Sequence, residues 1–356
     1  MSTNIVVTGL PGSGTTKFCN DYVELSLAII DDPLAMKSFN VGDEILRMAQ
    51  KPQRPPIMPE NLLNLHPVLL DALRDRAFDS ILSSIGSIQL QGCNRIIINT
   101  HGQFFWNDIF TNAYDWQHLA KFDADMFITL IEKPSTIKER QIRTPQGNSQ
   151  DHDLRDISMW QNMEVNIAAG WAANFGKPFY VLPGQQGPEI IESLLRSSFL
   201  IYFQMPMTDA SSEADDMISE FKQKVLTIGM EINGLPTPLI DPRTIDIETG
   251  EGLSDRERRI IEVQTVHRDM DWYIPEVSDQ IAYYPPGTEL SKGVSDESTR
   301  GFETGRNTFV IDPENHGSPF MDIATRVFTS EEDFFDFYPG YVEERMESLR
   351  RDKSKD

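Results

Sequence analysis

The run Gly9-Leu10-Pro11-Gly12-Ser13-Gly14-Thr15-Thr16 follows an apolar stretch, Ile5–Val7, and has the composition of a loop that turns backbone N–H groups onto a phosphate. Gly9 and Gly14 have the spacing of the two glycines of a phosphate-binding loop, and Thr16 falls where a hydroxyl would meet Mg²⁺ carried by a nucleotide such as ATP. The lysine of that pattern is absent, and Thr15 stands in its place. Lys17 is no substitute, because two residues along a helix is a rotation of about 200°. A cradle of this kind can hold phosphate through its backbone, but it lacks a charge that phosphoryl transfer ordinarily uses. Far along the chain, Glu297 follows Gly293 by four residues at the expected start of a helix, where backbone donors and the helix dipole would keep a carboxylate ionised. An ionised carboxylate with a second acid nearby is the equipment for breaking an N-glycosidic bond.

The elements that must position these residues read as α/β. Apolar runs suited to buried strands fall at Ile5–Val7, Ser38–Val41, Arg95–Asn99, Met126–Ile131 and Phe179–Leu182, with helical stretches such as Asn61–Ile85 and Ser158–Asn174 between them. A second start follows: a strand at Phe199–Phe203, a helix at Ser212–Leu226, a strand-like Thr227–Ile232 and a polar loop at Leu235–Gly252. A helix from about Ser254, a strand ending at Tyr284, another helix and a strand at Thr308–Ile311 complete it, with a fraying charged tail at Arg345–Asp356. The expectation is two domains, 1–195 and 196–356, each a parallel sheet in three layers. The first would be P-loop kinase-like and the second flavodoxin- or Rossmann-like.

The net charge of −23 is uneven: residues 1–195 carry 22 acids against 15 bases, and residues 196–356 carry 33 against 17. Such a surface repels a phosphate backbone, so nucleic acid is not an expected partner. No stretch reaches the roughly 20 apolar residues of a membrane helix. Two cysteines, Cys19 and Cys93, make no disulfide framework, and a strand begins almost at Met1, so a cytoplasmic protein with buried thiols is expected. His101 and His267 are isolated from cysteines and acids at metal-ligand spacing, which argues against a structural zinc site.

The segments Phe39–Ala49, Arg95–Gly102, Ile131–Thr144, Asp153–Asp156 and Gln161–Ala172 come in the order found in archaeal-type adenylate kinases, which residues 1–190 resemble. The resemblance implies that Gly9, Gly12, Ser13, Gly14, Thr15 and Thr16 cradle a nucleotide, and that Arg140, Arg143 and Arg155 grip its phosphates, a task suited to planar guanidinium groups. Asn99 departs from that pattern, standing where an aspartate usually precedes Thr-His. Ile201–Ala210, Val266–Pro285 and Ser291–Pro313 resemble the nucleoside 2-deoxyribosyltransferases and their relatives that hydrolyse nucleoside 5′-monophosphates. That resemblance implies Glu297 as nucleophile, Asp269 binding the sugar hydroxyls or orienting the base, and Tyr202 tuning Glu297 or closing the pocket. Asp271 competes for the role of Asp269, and Asp279 and Ala282 match the family's Asp-led strand. It also implies a homo-oligomer acting on small nucleosides or nucleotides. Cleavage or exchange of a glycosidic bond is therefore the first reading. A nucleoside monophosphate kinase, a nucleotide sensor gating the second domain and a scaffold without activity are the alternatives.

Overall fold

The computed structural model describes residues 3–30, 36–50, 57–197, 199–206, 211–245, 254–317 and 319–353. The chain is α/β and divides into two compact units, Met1–Gln185 with Ile247–Glu262, and Gln186–Asp246 with Val263–Asp356. Each is built on a five-stranded, wholly parallel sheet.

In the first unit β1 (Thr3–Gly9), β2 (Met36–Asn40), β3 (Arg95–Asn99), β6 (Met126–Ile131) and β7 (Phe179–Pro183) form a sheet in the order β2-β3-β1-β6-β7. Continuous apolar runs are what a strand covered on both faces requires, and Ile5, Val6 and Val7 are completely buried. The helices are α1 (Thr15–Ile30), α2 (Val41–Ala49), α3 (Pro67–Gln89), α4 (Trp116–Phe122), α5 (Pro134–Gln141), the short α6 (Pro145–Asn148) and α7 (Leu154–Phe175). Val6, Ile96, Ile98 and Phe127 pack against Ala77, Phe78 and Trp171 in the main core. A hairpin, β4 (Gln103–Trp106) and β5 (Ile109–Asn112), escapes the sequence reading. Its turn residues Asn107 and Asp108 both take positive φ, 49° and 60°, as a two-residue hairpin loop demands.

The second unit carries α8 (Glu189–Ser197), β8 (Ile201–Gln204), α9 (Ser212–Asn233), β9 (Leu239–Ile240), the end of α10 (Asp255–His267), whose residues up to Glu262 belong to the first unit, a π-helical turn at Arg268–Tyr273, α11 (Ile274–Glu276), β10 (Asp279–Tyr283), α12 (Lys292–Glu303), β11 (Asn307–Ile311), β12 (Arg326–Phe328) and α13 (Glu331–Lys353). The strand order β9-β8-β10-β11-β12 is the doubly wound order of flavodoxin-like folds, with its topological switch between β8 and β10. One sheet face, with Phe203, Ile281, Tyr283, Phe309 and Ile311, packs against Phe221 and Val225 of α9 and Phe334 and Tyr338 of α13. The other presents Tyr202, Gln204, Gln280 and Thr308, all buried.

The strand expected at Thr227–Ile232 is helix. Ile228 and Gly229 complete the buried face begun by Val225, and α9 runs on until Gly234 caps it with φ +75°. Propensity yields here to the helical spacing of the apolar positions. Part of the expected polar loop is the strand β9, and residues 246–252 of that loop lie outside the described residues. The expected tail belongs to α13, and residues 354–356 are likewise outside.

Candidate functional site

In the first unit β1 delivers the glycine-rich loop to the sheet edge where β3 also ends, and the Thr100 N–H donates to the Val7 carbonyl at 3.0 Å. Gly12 and Gly14 take φ of +100° and +95°, and a Cβ on Gly12 would stand 3.1 Å from the Ile137 carbonyl of α5. Helix α5 clamps the loop: Arg140 Nη1 donates to the Gly12 carbonyl at 2.8 Å and Gln141 Nε2 to that of Pro11 at 2.7 Å. The other arm of Arg140 reaches buried Glu132 at 3.2 Å. His101 Nδ1 donates to the Gly9 carbonyl at 2.6 Å. The Glu164 carboxylate, pushed up to about 7 by burial, accepts from the N–H groups of Gly102 and Gln103.

Thr15 is buried at the lysine position, whereas Lys17 is exposed and pairs with Asp21 on the same helix. Thr16 Oγ1 accepts from the side-chain amides of Asn40 and Asn99 at 3.1 and 3.3 Å. Two converging N–H groups are not a set of Mg²⁺ ligands, since that ion seeks carboxylate, phosphate and water oxygens. Arg143 and Arg155 are exposed and do not join Arg140 on the loop. A cavity of about 250 Å³ opens beside Pro11, lined by Asn40, His101, Phe104, Phe105, Gln141 and Trp160 among others.

In the second unit the structure brings Tyr202, Asp269 and Glu297 together. The Tyr202 hydroxyl, fully buried on β8 beside the switch point, donates to Glu297 Oε1 at 3.1 Å and also hydrogen-bonds Asp269. Ligands of open α/β sheets collect in the crevice at such a switch. Glu297 does not open its helix as expected. It lies in the second turn of α12, and burial, reinforced by the nearby Asp269 charge, pushes it up to about 8. Asp269 sits in the π-helical turn where α10 widens, a distortion often found at functional sites. Burial raises its pKa too, opposed by Arg268, whose Nε and Nη2 reach the carboxylate at 2.8 and 3.2 Å. Arg268 is the residue sequence reasoning missed; only its position beside Asp269 could have flagged it. Asp271 is instead engaged by Arg300 and His267.

A buried polar ladder holds Glu297 in place. Gln280 Nε2 donates to the Glu297 carbonyl at 3.1 Å, Thr308 Oγ1 to Gln280 Oε1 at 2.9 Å, and Ser298 Oγ to Gln204 Oε1 at 3.1 Å. Asp279 lies at the start of β10, enclosed by Asn307, Tyr338 and Tyr341, which all donate to it. It ties α13 to the sheet and does not join the Glu297 cluster.

A family model described as an AAA domain matches residues 8–158, from the end of β1 into α7. By that match, its parallel sheet and its glycine loop, this region is similar to the P-loop domains of NTPases and kinases. No curated protein matches the chain. No described helix is long and apolar enough to cross a membrane.

Proposed function

We propose that the chain is a nucleotide-metabolising enzyme whose P-loop domain binds a nucleotide and whose second unit cleaves the N-glycosidic bond of a nucleoside or nucleoside 5′-monophosphate. The observation that supports the second half is the contact between the Tyr202 hydroxyl and the Glu297 carboxylate, with Asp269 beside them. Glu297, once it has lost its proton, adds to C1′ of the sugar while the bonding pair leaves with the base, which is protonated. Water then displaces the sugar and frees the carboxylate. Asp269, paired with Arg268, holds the sugar hydroxyls or orients the base, and Tyr202 steadies the ionised Glu297. Hydrolysis is preferred to transfer, with a second copy of the chain completing the assembly.

The test is free-base release from a panel of nucleosides and 5′-monophosphates, with and without ATP. Release that vanishes in a folded Glu297→Gln variant supports the reading, and dependence on ATP that is not consumed would mark the P-loop domain as a sensor. A second reading, phosphoryl transfer to a nucleoside monophosphate, is favoured by the aromatic-lined cavity beside Pro11. ADP formation with one monophosphate and no base release would replace the first reading with it.

A further inference from the structure

A P-loop ordinarily shares its Ser or Thr hydroxyl with Mg²⁺, which also draws on an acid at a neighbouring strand end. Here that position is furnished differently. Thr16 Oγ1 accepts two amide N–H groups, and a hydroxyl oxygen has two lone pairs to give. The orientation of Asn40 is set independently, because its Oδ1 accepts from the Asp43 N–H as the cap of α2, leaving its NH₂ for Thr16. Asn99 supplies a second NH₂ from the end of β3, and among the described residues no carboxylate hydrogen-bonds Thr16. A cation there would face the positive ends of two amide dipoles.

The loop's positive charge is relocated as well. With Thr15 at the lysine position and Lys17 turned away to Asp21, Arg140 is, among the described residues, a cation hydrogen-bonded to the loop. Its Nη1 lies 3.7 Å from where a Cβ on Gly14 would be. The Ser13 hydroxyl is completely buried against the same turn and has no hydrogen-bond partner among the described residues. The surroundings of the loop therefore offer an anion N–H groups, a guanidinium and a spare hydroxyl, while the buried carboxylate beside that guanidinium, Glu132, is already engaged by Arg140 and Gln185.

We infer that this loop binds nucleotide phosphate without Mg²⁺, Arg140 and the amides of Asn40 and Asn99 taking the place of the ion. The inference rests on the reading of residues 8–158 as nucleotide-binding. Its ligand is a phosphate ester taken as the free anion rather than as a Mg²⁺ chelate. Guanidinium–phosphate hydrogen bonds are charge-assisted and roughly twice as strong as neutral ones, which suits a site that must hold an anion with no metal.

Calorimetric titration of the full chain with ATP, ADP and AMP, in excess Mg²⁺ and in EDTA, decides it. At least one nucleotide should bind with a Kd that agrees within about twofold between the two buffers, and Arg140→Ala should weaken it by about tenfold or more. Arg140→Lys, which keeps the charge but loses the fork, should fall between, and thermal melts of each variant separate lost binding from lost folding. Asn99→Asp should create the missing preference, tightening in Mg²⁺ by about tenfold. If Mg²⁺ tightens the native chain tenfold, or folded Arg140→Ala binds as well as native, the inference fails while the nucleotide-binding reading stands. If no nucleotide binds in either buffer, both fail.

Discussion

Glu297 shows how environment rewrites a side chain's chemistry. Desolvation penalises its charged form, and the Asp269 charge adds to the effect, so its pKa rises from 4.5 to about 8. Between those values the folded protein holds a proton that the unfolded chain has released. Stability therefore falls as pH rises through that window. Glu297→Gln keeps the shape and abolishes the titration. The variant should match the native chain in urea midpoint near pH 4.5 and exceed it at pH 9. Tyr202→Phe removes the donor that favours the ionised carboxylate, so in that background the fall should begin at the same pH and continue to a higher one. Equal midpoints at pH 9 for native and Gln chains would contradict a buried proton on Glu297. Thr15 and Lys17 make the complementary point, since helical geometry alone forecasts the outward turn of Lys17.

At the scale of elements, α12 is positioned by polar contacts rather than by apolar packing alone. A Cβ at Gly301 would fall 1.8 Å from Gln280 Oε1, inside the network that also holds the Glu297 backbone. Gly301→Ala should cost about 2–3 kcal/mol in denaturant unfolding, because the buried amide must shift and loses partners as it does. Gly86→Ala is the contrast, on an exposed stretch of α3 with open space around it. It should stabilise by about 0.5–1 kcal/mol through helix propensity. Similar values for both would mean that α12 is free to adjust.

The strands of the first sheet were legible because buried parallel strands are written as unbroken apolar runs, and Arg95–Asn99 and Met126–Ile131 match to the residue. The hairpin β4–β5 was not, although Asn107-Asp108 between Phe104-Phe105-Trp106 and Ile109-Phe110 is a turn signal with a mechanism. Thr227–Ile232 was misread because its β-branched residues speak for a strand, while their neighbours Val225 and Gly229 complete a helical stripe.

At the scale of the whole molecule, a net charge of −23 is a standing self-repulsion, heaviest in residues 196–356, where 33 acids face 17 bases. Raising salt from about 0.01 M to about 1 M shortens the screening length from roughly 30 to 3 Å, so the melting temperature should climb steadily. A melting temperature that is flat or falls with added NaCl would show that local ion pairs, not the general field, dominate.

The sequence by itself determined the α/β class, the two parallel sheets and the phosphate loop, because periodicity, glycine spacing and apolar runs are local properties of the chain. It also marked Glu297, Asp269 and Tyr202 as residues worth locating. Only the tertiary structure decided that these three meet in one buried cluster, that Arg268 is Asp269's counter-ion, and that Asn40 and Asn99 close on Thr16. It alone decided that Glu297 is held toward its neutral form. Solvation and charge proximity depend on which distant segments fold together, and no local pattern encodes them.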